Sequence, residues 1–186
     1  ISLRNYIRKL SGNILTGRAF GKRWIRNAFI NFAVHDTYSK IEVSRAPALI
    51  IASGPSLEAS IPLIKVLRSK FVLFALPSAL RALYNADILP DILVTSDPGF
   101  YAGLHLNNIP TYHSPLTAMP LTASRGTWRR MAPPLILWEG SAFDYHLVHK
   151  TQVQPIFTPA NGTVSGTALE LALSLNLSPV FFAGLD

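Results

Sequence analysis

The chain has 186 residues, of which 49% are apolar and 15% are charged, and its formal net charge is +7. This length suits one domain with a sizeable core. Because the sequence contains no cysteine, disulfides, thiolate metal sites and a cysteine nucleophile are excluded. No apolar run approaches the roughly 20 residues that span a bilayer. We therefore expect a cytoplasmic protein without a transmembrane segment.

The net charge is confined to the first quarter of the chain. Residues 1–46 contain nine Lys or Arg and two acidic residues, whereas residues 47–186 contain eight of each kind. Apolar residues of the first segment recur at helical intervals, at Ile25, Ala28, Phe29 and Phe32, which predicts a helix packed on the domain through that face. We interpret residues 1–46 as a basic helical lead-in, either a solvated face or an arm that docks to a partner. Nucleic-acid binding is disfavoured because the remaining chain is electrically neutral.

From residue 47 onwards, short apolar runs alternate with helical patterns. The runs predict strands at 48–52, 71–75, 92–95, 135–138 and 180–183, and an edge strand at 154–157. Helices are expected from Ser60 to about residue 68, with Pro62 in the first turn, near residues 78–84, and over residues 167–175. The proline-rich stretch 90–134 favours loops and short strands. This order predicts an α/β domain over 47–186 with a mainly parallel sheet, and we expect the domain to continue beyond Asp186.

Three polar, glycine-bearing turns follow predicted strands, at residues 53–56, 96–99 and 161–167. In an open α/β sheet, the loops at the carboxyl ends of neighbouring strands converge on one crevice, where ligands bind. The three turns therefore predict a nucleotide-sized site and a nucleotide-using transferase.

The first turn has the sequence Ser53-Gly54-Pro55-Ser56. Gly54 lets a ligand approach the main chain, and the N-terminus of the following helix suits a phosphate group. The turn is neither a GxxxxGK[ST] loop nor a GxGxxG loop. A purely structural turn between strand and helix is therefore an equal alternative.

The second turn presents Asp97 directly after a buried strand. This carboxylate is a candidate ligand for Mg²⁺, a partner for a ribose hydroxyl or a general base. The alternative is an aspartate that only hydrogen-bonds the backbone of its own turn.

The third turn is the richest in hydroxyl groups. Its candidate nucleotide contacts are Asn161, Gly162, Thr163, Ser165, Gly166 and Thr167. One hydroxyl is expected to cap the following helix. The others are expected to donate to phosphate or ribose oxygens.

The ordered set of motifs from Pro47 to Asp186 resembles a known family. The segments PALIIASGPSLEASIPLIKVL, ILPDILVTSDPG and NGTVSGTALELALSLNLSPVFFAGLD look like the domain shared by bacterial flagellar motility accessory factors and 6-hydroxymethylpterin diphosphokinase-like proteins. The Gly-Pro-Ser turn and the final Gly-x-Asp are also similar to bacterial sialyltransferases that use a CMP-linked donor. The resemblance implies a Rossmann-like fold, with the nucleotide against Gly54, Pro55, Ser56, Thr163, Ser165 and Gly166.

The same resemblance implies that Asp97 and Asp186 line one cleft as candidate catalytic residues, with Asp97 as the metal ligand if the reaction depends on Mg²⁺. The sialyltransferase-like relatives carry their catalytic histidine beyond the Gly-x-Asp strand. The resemblance therefore implies that this chain binds a donor and lacks part of the catalytic machinery.

Two reactions fit such a site. The first transfers a nonulosonic acid from its CMP form to a hydroxyl of flagellin or another acceptor protein, and the second transfers diphosphate from ATP to a hydroxymethylpterin with Mg²⁺. We favour the first because few Lys or Arg lie near the three turns in the sequence, whereas polyphosphate transfer needs charge neutralisation. A non-catalytic interaction domain is the third alternative.

Overall fold

The computed structural model describes residues 3–34, 38–42, 45–150 and 154–186, so parts of the basic lead-in lie outside the described residues. The helices are α1 (Leu3–Phe32), α2 (Ser56–Leu67), α3 (Leu80–Asn85), α4 (Arg125–Arg130), α5 (Ala142–His149) and α6 (Val164–Ser174). The strands are β1 (Ala48–Ile51), β2 (Val72–Ala75), β3 (Ile92–Val94), β4 (Leu116–Pro120), β5 (Leu135–Trp138), β6 (Ile156–Phe157) and β7 (Val180–Ala183). Shorter 3-10 helices lie at Arg68–Lys70, Pro77–Ala79 and Phe100–Asn108. In this described part of the chain, no helix is both long and apolar enough to cross a membrane.

These strands form a parallel sheet in the order β6-β5-β4-β3-β2-β1-β7. The predicted α/β class with a mainly parallel sheet is confirmed, and with its flanking helices the fold is Rossmann-like. Strand β1 shows why its sequence is a continuous apolar run. Leu49 and Ile51 face one core, whereas Ala48 and Ile50 face the other, so both faces of the strand are covered.

The helices are distributed unequally over the two faces of the sheet. The core that contains Leu49 and Ile51 takes buried side chains from α1 to α5, of which Trp128 of α4 is the largest. The opposite core is closed by α6 through Ala168, Leu171 and Ala172. Helix α6 contacts β1, β3 and β6, because it leads the chain from one edge strand of the sheet to the other.

Helix α1 docks onto the domain through two buried asparagines. Each side-chain amide donates two hydrogen bonds to backbone carbonyls at the carboxyl edge of the sheet. The acceptors are Pro98 and Thr122 for Asn27, at 3.2 and 3.0 Å, and Leu121 and Ala123 for Asn31, at 2.8 and 2.9 Å. Buried backbone carbonyls need a hydrogen-bond donor. The face of α1 that docks onto the sheet therefore carries asparagine rather than an apolar side chain at these two positions.

The prediction that α1 packs on the domain through an apolar face is therefore wrong for two of the four residues of that face. Ile25 and Phe29 are 52% and 54% exposed. Ala28 is fully buried, as predicted, and Phe32 packs against the core. Helical spacing located the helix but could not identify which face it buries, because the asparagine partners lie about 90 residues further along the chain.

Replacing Asn31 with alanine is expected to lower the free energy of unfolding by about 2 kcal/mol, because two buried carbonyls lose their donor. Chemical denaturation measures this change. Ile25→Ala on the same helix is the matched control, and its exposed side chain should change stability by less than about 0.5 kcal/mol. Equal effects of the two substitutions would contradict this mode of docking.

Helix α2 begins at Ser56 rather than at the predicted Ser60, and Pro62 consequently lies inside the helix. The earlier start is stabilised from outside the helix. The backbone N–H of Ser56 donates to the carboxylate of Asp186, which satisfies a donor that the first turn of a helix leaves free.

The stretch 90–134 contains a central strand and a helix that the prediction of loops and short strands did not locate. Strand β4 lies between β3 and β5. Its prolines stand immediately before the strand, at Pro115, and at its last residue, Pro120. Prolines at the ends of a strand remove few ladder hydrogen bonds, so the proline content of this stretch did not indicate how much of it is regular.

Candidate functional site

All three glycine-bearing turns lie at the carboxyl edge of the parallel sheet. The first follows β1, the second follows β3 and the third follows β6 and leads into α6. Asp97 and Asp186 also share this edge, but β2 and β1 lie between their strands. Strands β3 and β7 are thus three strand spacings apart, which corresponds to about 14 Å.

The second and third turns meet at a cleft of about 250 Å³. We call it the hydroxyl cleft, because its polar lining consists of Ser78, Thr95, Asp97, His105 and Ser165. No Lys or Arg is among the described residues that line it. The first turn reaches this cleft indirectly, since the hydroxyl of Ser53 donates to that of Ser78 at 2.9 Å.

Thr95 is the lining residue that most directly indicates a ligand. Its side chain is 1% exposed, and its hydroxyl has no hydrogen-bond partner in the described part of the protein. A buried polar atom without a partner is uncommon in folded proteins and needs an explanation. The buried hydroxyls of Thr127 and Thr158 also have no partner among the described residues, so what distinguishes Thr95 is its position at the cleft, where a ligand would supply one.

Asp97 hydrogen-bonds the backbone of its own turn, which was the structural alternative to a ligand-binding role. Its Oδ1 accepts a hydrogen bond of 2.7 Å from the backbone N–H of Gly99, and the residue is exposed at the cleft. No group of three or more His, Asp or Glu residues that could hold a metal ion occurs among the described residues. A single carboxylate is nevertheless compatible with Mg²⁺, which is often held by one or two carboxylates together with substrate phosphates.

The first turn is engaged by the end of β7 and the residues that follow it. The N–H of Gly54 donates to the carbonyl of Gly184 at 2.8 Å, and a Cβ added at Gly54 would lie 2.5 Å from the backbone oxygen of Asp186. The carboxylate of Asp186 accepts from both the N–H and the hydroxyl of Ser56. The close approach at Gly54 and the positive end of α2 are thus used by Asp186, and a nucleotide contact there stays a prediction.

The hydrogen bond from the Ser56 hydroxyl holds the pKa of the Asp186 carboxyl below its usual range. The carboxylate therefore remains ionised at neutral pH and is a weak proton acceptor. Its position at the N-terminus of α2 complements the helix dipole. The catalytic role assigned to Asp186 by resemblance is not tested by this arrangement.

Some polar residues of the third turn stabilise the start of α6, and one lines the hydroxyl cleft. Thr163 caps α6, because its Oγ1 accepts from the N–H of Gly166 at 3.1 Å. The buried hydroxyl of Thr167 donates to the carbonyl of Thr163. Ser165 lines the hydroxyl cleft, whereas Asn161 and Gly162 are exposed outside it.

A second, larger cleft lies on the other side of the Asp97 turn. It measures about 660 Å³, and we call it the basic cleft. Its cationic residues are Lys22, Arg23 and Arg26 of α1 and Arg125 and Arg129 of α4. The expectation that few cations lie near the three turns is therefore wrong for the second turn, because the fold brings together segments about one hundred residues apart in sequence.

Glu139 is a candidate that the sequence analysis missed. It directly follows β5 at the carboxyl edge. Burial, with a smaller contribution from the nearby Asp144 carboxyl, raises the pKa of Glu139 to about 7. Burial also raises the pKa of Asp144. The available signal was a carboxylate immediately after a buried apolar run, the same signal that identified Asp97.

Comparisons with known proteins concern the family and the fold of the chain. A family model described as "6-hydroxymethylpterin diphosphokinase MptE-like" matches residues 22–186. An uncharacterized protein of Treponema pallidum (strain Nichols) is 28% identical over 181 residues, which is 97% of this chain and 39% of that protein. A second uncharacterized protein of the same organism is 32% identical over 88 residues, or 44% of this chain and 40% of the relative. The chain thus spans about two fifths of the length of these relatives.

A solved structure described as MAf glycosyltransferase from Magnetospirillum magneticum AMB-1 superimposes with a TM-score of 0.68. The match covers 89% of this chain and 27% of the other, at 20% sequence identity. At that identity the likeness shows a shared fold.

Proposed function

This chain belongs to the 6-hydroxymethylpterin diphosphokinase MptE-like family, and from that premise we propose that it is the donor-binding domain of a nucleotide-dependent transferase. The observation that carries the proposal is the hydroxyl cleft, where the turn after β3 meets the first turn of α6. Ligands of open α/β sheets bind at this edge. The unpaired, buried hydroxyl of Thr95 supports the presence of a ligand there.

The reaction that we place first is glycosyl transfer of a nonulosonic acid from its CMP form to a protein hydroxyl, with flagellin as the candidate acceptor. The hydroxyl cleft favours this donor because it offers neutral donors and no Lys or Arg. Ser78 accepts from Ser53, so its own hydroxyl hydrogen would serve a phosphate or ribose oxygen. Ser165 would have to exchange its hydrogen bond of 3.3 Å to Thr163 for one to the ligand. Such preorganised donors stabilise the negative charge that develops on a departing phosphate.

The MAf glycosyltransferase named above supports this choice through its shared fold. The acceptor and the general base remain parts of the proposal. The chain spans about two fifths of its relatives, so the activity of a whole protein of this family is also part of the proposal.

The second candidate is transfer of diphosphate from ATP to a hydroxymethylpterin, which the description of the matching family favours. This reaction needs Mg²⁺ to neutralise the polyphosphate and orient it. Asp97 would hold the metal, together with oxygens of the substrate. The two candidates therefore differ in their dependence on metal.

Calorimetric titration with CMP and with ATP, each with and without Mg²⁺, tests the proposal. We expect metal-independent binding of CMP that weakens at least about tenfold in Asp97→Ala, which loses a hydrogen bond from a ribose hydroxyl, and in Ser165→Ala, which loses a hydrogen bond to an oxygen of the ligand. Ser174→Ala is the matched control, because Ser174 is also a serine of α6 but lies at the opposite end of the helix.

Each other outcome has a defined meaning. Binding of ATP only with Mg²⁺, lost in Asp97→Ala, would favour the diphosphokinase. Absence of binding in every titration would favour the non-catalytic interaction domain. Equal weakening in Ser165→Ala and Ser174→Ala would remove the hydroxyl cleft from the proposal.

A further inference from the structure

The basic cleft concentrates positive charge at one place on the surface. Four of its five cationic residues are arginines, contributed by α1 and α4. No Asp or Glu is among the described residues that line it. The ion pairs found in the described part of the chain, Lys65–Asp87 and Arg68–Asp91, involve none of these cations. Like charges held close together repel each other, so the cluster is stabilised when an anion occupies the cleft.

The backbone frame of the cleft is held in place by hydrogen bonds, whereas most of its cationic side chains are exposed at the surface. Asn27 lies in the wall of the cleft, and its amide donates to the carbonyls of Pro98 and Thr122. These bonds hold the basic face of α1 against the Asp97 turn. The arginines of α1 and α4 therefore face a common space of about 660 Å³, which lies within the usual range of small-molecule pockets, about 300–1,000 Å³.

The rim of the cleft adds an apolar surface. Phe100 and Tyr101 are 77% and 76% exposed, and their rings contact each other edge to face at 5.8 Å. Exposed aromatic rings beside arginines suit a ligand that carries both charged groups and a flat or apolar part. The guanidinium group matches phosphate with two parallel hydrogen bonds.

We propose that the basic cleft binds a second, soluble ligand through closely spaced phosphate groups of that ligand, independently of the nucleotide in the hydroxyl cleft. The independence follows from position. The two clefts have no lining residue in common: the basic cleft is lined mainly by α1 and α4, whereas the hydroxyl cleft is lined by the start of α6 and by residues of the 3-10 helices Pro77–Ala79 and Phe100–Asn108. The turn that contains Asp97 lies between the two clefts.

A soluble ligand is favoured over a nucleic acid or a membrane by the charge and shape of the protein. Residues 47–186 carry no net charge, so this part of the chain lacks the overall excess of positive charge that is typical of nucleic-acid-binding domains. The cleft is concave and has walls from three elements, α1, α4 and the 3-10 helix Phe100–Asn108. Such a pocket encloses a compact phosphate group better than it follows a long strand or a flat bilayer.

Titration of the purified protein with inorganic tripolyphosphate, at about 0.15 M salt, tests the proposal. We expect one binding site per chain and about hundredfold weaker binding in the double variant Arg26→Gln/Arg129→Gln, because two charge-assisted contacts are lost. The matched control is Arg8→Gln/Arg81→Gln, which removes two exposed arginines that do not line the cleft. The control should retain nearly the full affinity, since distant charges are screened.

Parallel titrations separate this proposal from the proposed function. Binding of CMP, which carries a single phosphate, should be unchanged in Arg26→Gln/Arg129→Gln, and binding of tripolyphosphate should be unchanged in Ser165→Ala. Circular dichroism of each variant verifies that it is folded. If only nucleotide binding is absent, the proposal for the basic cleft is unaffected. If only tripolyphosphate binding is absent, the proposed function is unaffected.

Four results would overturn the proposal. They are absence of tripolyphosphate binding, equal weakening in the two double variants, binding of phosphatidylglycerol vesicles without binding of tripolyphosphate, and binding of single-stranded DNA without binding of tripolyphosphate. The last two would assign the cleft to a membrane surface or to a nucleic acid instead.

Discussion

Replacing Gly184 with alanine should lower the free energy of unfolding by about 4 kcal/mol, the sum of backbone strain and overpacking. Gly184 has a φ of +66°, a conformation that residues with a Cβ rarely adopt. A Cβ there would also fall against the backbone oxygen of Ala52 and lie 2.9 Å from Cβ of Leu57. Neither neighbour is the flexible end of a side chain, so the main chain itself has to move.

Gly162→Ala is the matched control for this prediction. Gly162 has a φ of +75°, but an added Cβ would meet nothing within 4 Å. Its substitution should therefore cost only the conformational strain, about 1 kcal/mol. Denaturant unfolding of both variants measures the difference. Equal midpoints would show that the contact with Ala52 relaxes without cost.

The loss at Gly184 should extend to the first turn. The carbonyl of Gly184 accepts from the N–H of Gly54, and Asp186, two residues on, holds the N-terminus of α2. A main-chain shift at Gly184 therefore moves both contacts. Because domains are stable by only about 5–15 kcal/mol, a loss of this size leaves a large unfolded fraction on mild heating.

The parts of the fold that the sequence predicted are those with local causes. Strands β5 and β7 lie where their apolar runs predicted them, at 135–138 and 180–183. The run of β5 reflects burial between the sheet and its helices. The run of β7 instead reflects β-propensity, because this strand lies at the edge of the sheet with Phe181 and Phe182 exposed. The turns after the strands were also located correctly, because Gly and Ser mark a change from strand to helix.

The parts that escaped prediction depend on partners far away in the sequence. The start of α2 is set by Asp186, and the buried face of α1 is set by carbonyls after β4. The basic cleft unites residues 22–26 with residues 125–129. No local pattern contains such pairings, so the sequence analysis found the turns of the candidate site but not the charge beside them.

The second large effect concerns Glu139, whose carboxyl is half-buried and has its pKa raised from 4.5 to about 7. Below about pH 4.5 the group is protonated in both the folded and the unfolded chain, so it does not change stability. As the pH rises, the unfolded chain releases its proton first. The free energy of unfolding should therefore fall between about pH 4.5 and pH 7, by about 3 kcal/mol in total.

Glu139→Gln should remove this loss. Glutamine is nearly isosteric and carries no charge at any pH, so the variant should be more stable than the unaltered protein by up to about 3 kcal/mol at pH 8 and equally stable near pH 4. Asp144, whose pKa burial also raises, contributes in the same direction in both proteins. Denaturant midpoints measured at several pH values between 4 and 8 test the difference.

The exposed Glu58 supplies the control, because Glu58→Gln removes a carboxylate of the same type from the surface of α2. Its stability curve should run parallel to that of the unaltered protein. If Glu139→Gln gave the same parallel curve, the Glu139 carboxyl would not be desolvated. If its curve flattens as expected, the carboxyl edge of the sheet contains a group that takes up and releases a proton near neutral pH, which the ionised carboxylate of Asp186 does not do.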